Sequence, residues 1–393
     1  MSKLPVIFIP GIQGTTLSNT NEKDFKTVFS GFKKYFKRIR DIGLKRDGFS
    51  DQKLDFLINP SDVEDLAYSE IIDMLRGNGF KVFIFGYDWR LSNQTNAHKL
   101  LAFVKRLGKK FGNTKKFYFL THSMGGLVLS SFIKMLHQNN EVETYIDKTI
   151  FCNPPFLGSL EAAYNLVVGR SFFFNSSDDF RKVARTFPSI YELSGVYKNS
   201  FKFKDQSLVN DFFNFKSYWQ HELSPSTTRA KAKNSLMEFR FKELKKIRND
   251  KHNSIFDFGK MDKRILKKLI VLVGSNEKTL ETLPIKDTCS NGRIKNYFNF
   301  DEAHYSQEGD GTVHHNSSTV FKDSIVTIDI ASKPIETRWN SHLIMNDWHA
   351  FFLNNGRVQN IIKRFFECDE ATLQKVNGTS DWFQSLGGSI KQI

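Results

Sequence analysis

Lys116-Phe117-Tyr118-Phe119-Leu120-Thr121-His122-Ser123-Met124-Gly125-Gly126-Leu127 is the stretch on which the fold turns. Its first half is a short apolar and aromatic run, the pattern of a buried strand. Its second half opens the helix-like run Leu127 to Leu136. Between them stand a serine and two glycines. A serine at the apex of such a strand-to-helix turn has a strained backbone and an Oγ pushed away from the sheet. Gly125 and Gly126 leave room for strand and helix to close beneath it. The first position of the usual Gly-x-Ser-x-Gly pattern is Thr121 here, so the assignment rests on support from the rest of the chain.

Short β-branched or aromatic runs alternate with longer helical patterns along the sequence. Strands are expected over Pro5–Ile9, Lys81–Phe85, Lys116–Leu120, Thr149–Cys152, Leu269–Val273 and Ile325–Ile330. Helices are expected over Val63–Asn78, Ala97–Phe111, Met124–His137 and Arg357–Phe366. This alternation predicts an α/β fold with a mostly parallel sheet and helices on both faces. With the serine turn it reads as an α/β-hydrolase. The rhythm breaks between Ala162 and Lys268, a basic and aromatic stretch holding Phe172, Phe173, Phe174, Phe212, Phe213, Phe215, Tyr218 and Trp219. An insertion there would sit above the C-terminal ends of the strands as a lid or cap. The expected organisation is a core from 1–161, a lid over 162–268, the rest of the core over 269–366, and a polar, loosely ordered tail over 367–393.

The chain has 393 residues, 40% of them hydrophobic, which is ample for a core. No window holds the ~18 consecutive apolar residues of a membrane span. The N-terminus runs straight into a strand without the apolar region of a signal peptide. Cys152, Cys289 and Cys368 are too few and too scattered for a disulfide framework or a zinc site. A reducing cytoplasm fits these features, with export by a leaderless route as the alternative. Lys and Arg number 57 against 42 Asp and Glu, a formal charge of +15. The basic residues concentrate over Lys33–Arg46 and Arg229–Lys268. Neither stretch carries a nucleic-acid-binding signature, so no nucleic-acid partner is expected. Peripheral contact with an anionic membrane would suit this charge, against the plainer reading of a solvated lysine-rich surface.

Acyl transfer needs a nucleophile, a base, a group that orients the base, and donors for the developing oxyanion. In α/β-hydrolases these run along the chain as Ser, then acid, then His. Ser123 is the nucleophile in this reading. Beyond the strand Leu269–Val273 lies Gly309-Asp310-Gly311-Thr312-Val313, a tight turn that could aim Asp310 at the site. Gly-Asp-Gly is also an ordinary turn composition, and its place in the order is what selects it. The base must follow the last strand, which leaves His342 and His349 of the ten histidines. His349 precedes the last amphipathic helix and is preferred, with His342 kept as the alternative. The oxyanion donors are expected to be the backbone N–H groups of Met124 and of Ile12, the latter in the glycine-rich loop Pro10–Thr15. Loss of one such donor costs ~2.7–4 kcal/mol of transition-state stabilisation. No cofactor and no metal are called for.

Four segments together resemble the lecithin:cholesterol acyltransferase and lysosomal phospholipase A family. They are Pro10-Gly11-Ile12-Gln13-Gly14-Thr15-Thr16-Leu17, Gly86-Tyr87-Asp88-Trp89-Arg90-Leu91-Ser92, Thr121–Gly126 and Gly309–Val313. The Tyr87–Arg90 block is the most discriminating of them. Asn153-Pro154-Pro155-Phe156-Leu157-Gly158-Ser159 is similar to the family's segment after the next strand. The resemblance implies a Ser–Asp–His enzyme acting on lipid acyl esters, with Ser123, Asp310 and His349 in the triad positions. It implies a structural role for Tyr87–Arg90, with a buried Asp–Arg pair shaping the elbow's surroundings. Secreted members carry signal peptides and disulfides, and neither is expected here. The lid does not match, so head-group preference does not carry over. A soluble carboxylesterase or thioesterase, and a non-catalytic hydrolase-fold binding protein, are the competing readings.

Overall fold

The computed structural model describes residues 3–21, 26–29, 39, 41–53, 57–113, 115–167, 178–194, 197, 199–203, 239–240, 242, 256–286, 300–333, 348–369 and 390–392. Seven strands form the main sheet: β1 (Val6–Ile9), β2 (Val82–Ile84), β3 (Phe117–His122), β4 (Ile146–Cys152), β5 (Leu269–Ser275), β6 (Val326–Ala331) and β7 (Ile390–Gln392). Their spatial order is β7-β6-β5-β4-β3-β1-β2. All pairings are parallel except that of β6 with β7. Central strands buried on both faces read as continuous apolar runs rather than as alternations. That is the pattern of Ile7, Phe8 and Ile9, and of Leu269–Val273, all essentially without exposure.

The two faces collect two apolar clusters. Val6 and Phe8 point to one face, where α1 (Asp65–Gly77) and the helix Gly356–Glu367 supply Ile71, Leu75, Ile361 and Phe365. Ile7 and Ile9 point to the other, where α2 (Asn93–Lys110) and α3 (Gly125–Gln138) supply Leu100, Val104, Leu127 and Phe132. This is the period-two alternation of a strand feeding two helical layers. The helix starts are capped as their sequences suggest. Ser92 Oγ accepts the Thr95 N–H at α2, and Asn355 Oδ1 accepts the Arg357 and Val358 N–H groups at the last helix.

The six strands and four helices expected from the sequence are all present, with shifted ends. The largest shift lies at α2, which starts at Asn93 because Ser92 caps it. The chain from Val63 enters α1 two residues late because Val63 pairs with Thr15 in a small antiparallel sheet. Of the stretch expected to be a loose tail, residues 367–369 and 390–392 are described. Ile390–Gln392 pairs antiparallel with Ile328–Ile330 and closes the sheet edge, through backbone bonds that need no apolar pattern.

Most of the stretch read as a lid, including the phenylalanine groups at 172–174 and 212–215 with Tyr218 and Trp219, lies outside the described residues. Its described pieces share the core of the body. Phe180, Phe187, Ile190, Leu193, Phe256 and Phe258 are buried in the same cluster as Ile7 and Phe132. Among the described residues, no helix is long and apolar enough to cross a membrane.

Gly125 shows how tightly α3 seats on the first strand. A Cβ there would lie 2.4 Å from the Ile9 carbonyl oxygen and 2.5 Å from that of Pro10. Both atoms are backbone and cannot rotate away. Gly125→Ala is therefore expected to destabilise the fold by at least about 1–3 kcal/mol, read as a lower midpoint in denaturant unfolding. An unchanged midpoint would show that the elbow tolerates a wider gap than these distances allow.

Candidate active site

Strand β3 ends at His122, and Ser123 turns the chain with φ +51° before α3 begins at Gly125. A left-handed backbone at a non-glycine residue costs about 1–2 kcal/mol and survives only where its surroundings enforce it. The enforcement is visible. The Ser123 N–H donates to the Cys152 carbonyl at 2.9 Å, and the Gly126 N–H donates to the Ser123 carbonyl at 2.9 Å. A Cβ at Gly126 would lie 3.0 Å from Pro154 Cβ, so this second glycine also permits the close approach.

Asp310 arrives from the loop beyond β5. The Gly309–Asp310–Gly311 turn is held by the Glu277 N–H to the Gly309 carbonyl and by the Gly311 N–H to Thr279 Oγ1 at 2.8 Å. Gly311 takes φ +94°, a conformation that suits glycine. The carboxylate is buried and accepts the Thr312 and Val313 N–H groups on Oδ1 at 3.0 and 2.7 Å. Its Oδ2 lies 2.6 Å from His349 Nδ1, and His349 Nε2 lies 2.9 Å from Ser123 Oγ. A carboxylate can only accept, so Nδ1 carries the hydrogen, and in the neutral ring Nε2 is left to accept from the serine hydroxyl. Gly274, near the end of β5, leaves room for Asp310 and the segment of His349 to come together. A Cβ there would lie 2.9 Å from Asp310 Cβ and 2.6 Å from Trp348 Nε1. His342 lies outside the described residues.

The loop after β1 is clamped at both ends by the Tyr87–Arg90 block. Tyr87 donates its hydroxyl to the Pro10 carbonyl at 3.0 Å, and Trp89 Nε1 donates to the Thr15 carbonyl at 2.9 Å. Arg90 holds this block in place beneath. It makes two bonds to the Asp88 carboxylate, one to Asp51 and one to the Ile42 carbonyl, all at 2.7–2.9 Å. A buried guanidinium with its charge matched and its donors used costs far less than an unpaired one. Within the loop the Gly14 N–H donates to the Gly11 carbonyl at 3.1 Å. That carbonyl and the Ile12 N–H share one planar trans peptide, so fixing the first aims the second in the opposite direction. Among the described residues neither the Ile12 nor the Met124 N–H has a hydrogen-bond partner.

A cavity opens at Ser123. Its walls include Ile12, Tyr68, Pro155, Leu193, Val313 and His349. Two of these were not singled out from the sequence. Leu193 follows a short helix in the insertion, where no spacing links it to the elbow. Tyr68 sits on the buried face of α1 with Ile71, Ile72 and Leu75 and reads as a core residue.

His122 has both ring nitrogens engaged. Nδ1 is 3.0 Å from the Tyr68 hydroxyl and Nε2 is 2.9 Å from the His349 carbonyl oxygen. Burial holds its pKa well below the ordinary 6.5, with the neighbouring His349 pushing the same way. The folded chain thus keeps His122 neutral while the unfolded chain protonates it below about 6.5. Stability supplied by this group is complete above that value and is lost as pH falls beneath it, at about 1.4 kcal/mol per pH unit. A His122→Gln variant is expected to lose less stability than the parent between pH 7 and 5 in urea unfolding. Parallel losses would contradict a neutral buried His122.

A parallel sheet carrying a serine elbow, with an acid and a histidine delivered from later loops, defines an α/β-hydrolase. The chain belongs to the lecithin:cholesterol acyltransferase family, whose family model matches residues 20–347. It is 33% identical over 153 residues to phospholipase A(1) LCAT3 of Arabidopsis thaliana, a match covering 35% of this chain and 33% of that protein. It is also 33% identical over 140 residues to lecithin-cholesterol acyltransferase-like 4 of the same plant, covering 32% of this chain and 26% of that one. The matched stretches thus span a third or less of these curated relatives. Among solved structures, a chain of the Tle4–Tli4 complex shares the fold with a TM-score of 0.58 at 14% identity, covering 93% of this chain and 99% of that one.

Proposed function

We propose that the protein cleaves or transfers acyl groups of lipid esters through an acyl-Ser123 intermediate. The observation that carries this reading is the hydrogen-bond chain Asp310–His349–Ser123, at 2.6 and 2.9 Å, opening into a cavity walled largely by apolar side chains. Family membership supports lipid esters as the substrate class.

In this reading Ser123 Oγ attacks the ester carbonyl carbon while its proton passes to His349 Nε2. Asp310 keeps Nδ1–H pointed at itself and offsets the imidazolium charge as it forms. The Ile12 and Met124 N–H groups donate to the tetrahedral oxyanion. His349 then returns the proton to the leaving alcohol oxygen, the C–O bond breaks, and the acyl group stays on Ser123. Water or an alcohol attacks next with the same histidine as base, giving a free acid or a new ester. The stretch over 162–268, read as a lid, and its basic residues are proposed to meet the lipid surface. Tyr87–Arg90 has no chemical step here and acts by holding the loop that carries Ile12.

The test compares phospholipid vesicles with a soluble short-chain ester, using vesicles with and without anionic lipid. Turnover is expected to be higher on vesicles, and higher again when they are anionic. Cleavage of the soluble ester with inert vesicles would instead favour a soluble carboxylesterase or thioesterase.

A further inference from the structure

The elbow, the Ile12 loop and the base come from segments far apart in sequence, and one buried pair of side chains touches all three. His122 immediately precedes Ser123 and is only 3% exposed. Its Nε2 faces a carbonyl oxygen, which can only accept, so Nε2 carries the hydrogen and donates to His349. The ring is neutral, so Nδ1 is bare and accepts the Tyr68 hydroxyl hydrogen. The Tyr68 oxygen in turn accepts the Gly11 N–H at 3.1 Å. Every donor has an acceptor, and the direction of each bond follows from the one before.

The chain therefore runs from Gly11 N–H to Tyr68, to His122, to the backbone of His349. Each end lies within one residue of a group that the proposed reaction uses. Gly11 precedes Ile12, and its carbonyl shares a peptide plane with the Ile12 N–H. The His349 carbonyl belongs to the residue whose ring faces Ser123. The glycines of the loop fit around the same hydroxyl. A Cβ at Gly14 would lie 2.8 Å from Tyr68 Oη, and one at Gly11 would lie 3.4 Å from it and 3.0 Å from Ser123 Cβ. The Tyr68 ring packs edge-on against His122, with centroids 5.6 Å apart, which limits rotation of either ring.

We propose that Tyr68 and His122 form one positioning unit, which sets the Ile12 loop and the His349 backbone at fixed places relative to Ser123. Neither touches the reacting atoms. The inference rests on the acyl-transfer reading above and adds to it the groups that hold its parts in register. A misplacement of about 1 Å at such a site costs up to ~100-fold in rate.

The experiment measures kcat, KM and the thermal midpoint for Tyr68→Phe, His122→Gln, His122→Ala and the Tyr68→Phe/His122→Ala double variant, on a soluble p-nitrophenyl ester. Ser123→Ala serves as the reference for background. Tyr68→Phe and His122→Ala are expected to lower kcat by about 10- to 100-fold, with KM changed by less than about two-fold. His122→Gln, which keeps a donor for the His349 carbonyl, should retain more activity than His122→Ala. The double variant should be no slower than the slower single variant, because both break one chain. If His122→Ala does not fold, Tyr68→Phe decides, since it removes a single oxygen. Folded variants with parental kcat, or losses that multiply in the double variant, would overturn the positioning unit alone. A parent protein no more active than Ser123→Ala on this ester and on phospholipid vesicles alike would overturn the hydrolase reading, and the unit with it; with a parent active only on vesicles, the same variants are compared on vesicles with the same expected losses.

Discussion

Ser123→Ala is expected to remove ester cleavage, lowering kcat by about 10⁴-fold or more, while the protein stays folded. In the proposed reaction the substitution deletes the oxygen that forms the acyl bond. Its structural cost is small by comparison. Alanine would have to keep the left-handed backbone that Ser123 adopts, and among the described residues the one hydrogen bond of the hydroxyl is to His349 Nε2. Losing that bond amounts to about 0.5–1.5 kcal/mol, which a domain of this size absorbs. Turnover and thermal midpoint should be measured on the same preparation. Persistent cleavage by a folded Ser123→Ala protein would remove Ser123 from the reaction.

Asp310→Asn is the second large effect, and it separates chemistry from packing. Asparagine preserves the size of the side chain, and its carbonyl oxygen can still accept the Thr312 and Val313 N–H groups. Its amide nitrogen would then face His349 Nδ1, 2.6 Å from the present carboxylate oxygen. Two donors cannot share that contact, so the imidazole shifts its hydrogen to Nε2. Nε2 then no longer accepts from Ser123 Oγ, and the proposed nucleophile loses its base. A fall of about 10⁴-fold in kcat is expected, with KM little changed. A variant retaining a tenth or more of parental kcat would show that another group orients the histidine.

The main sheet was legible because each parallel strand is a dense apolar run and each flanking helix has a clean apolar stripe. The small sheets were not. Thr15–Asn19 and Ile58–Val63 are rich in polar residues, and the second contains Pro60 and Asp62. Their pairing is decided by a neighbouring edge rather than by local pattern. Within the candidate site, Ser123 announced itself through its glycines, and Asp310 through its turn and its place in the order. His349 could not be separated from His342 by spacing alone, since both follow the last predicted strand. In the fold, His349 Nε2 comes within 2.9 Å of Ser123 Oγ. Tyr68 carried no signal because a tyrosine at helical spacing among Ile71, Ile72 and Leu75 reads as core. His122 was inside the motif that drew attention, but a residue beside a nucleophile gains meaning only from what its ring touches. The Tyr87–Arg90 block was expected to shape the elbow's surroundings. The buried Asp88–Arg90 pair is present, and the Tyr87 and Trp89 side chains bond to Pro10 and Thr15, the two ends of the loop that bears Ile12.

In the proposed reaction the acyl group passes through Ser123. The most direct measurement incubates the protein with phospholipid vesicles, quenches in acid within the first turnovers, and weighs the peptide that contains Ser123. An added acyl mass is expected on that peptide, absent from Ser123→Ala and chased by later turnover. Lipid cleavage with the acyl group on another residue, or with no acylated peptide at any quench time while the released product accumulates equally in Ser123→Ala, would contradict it.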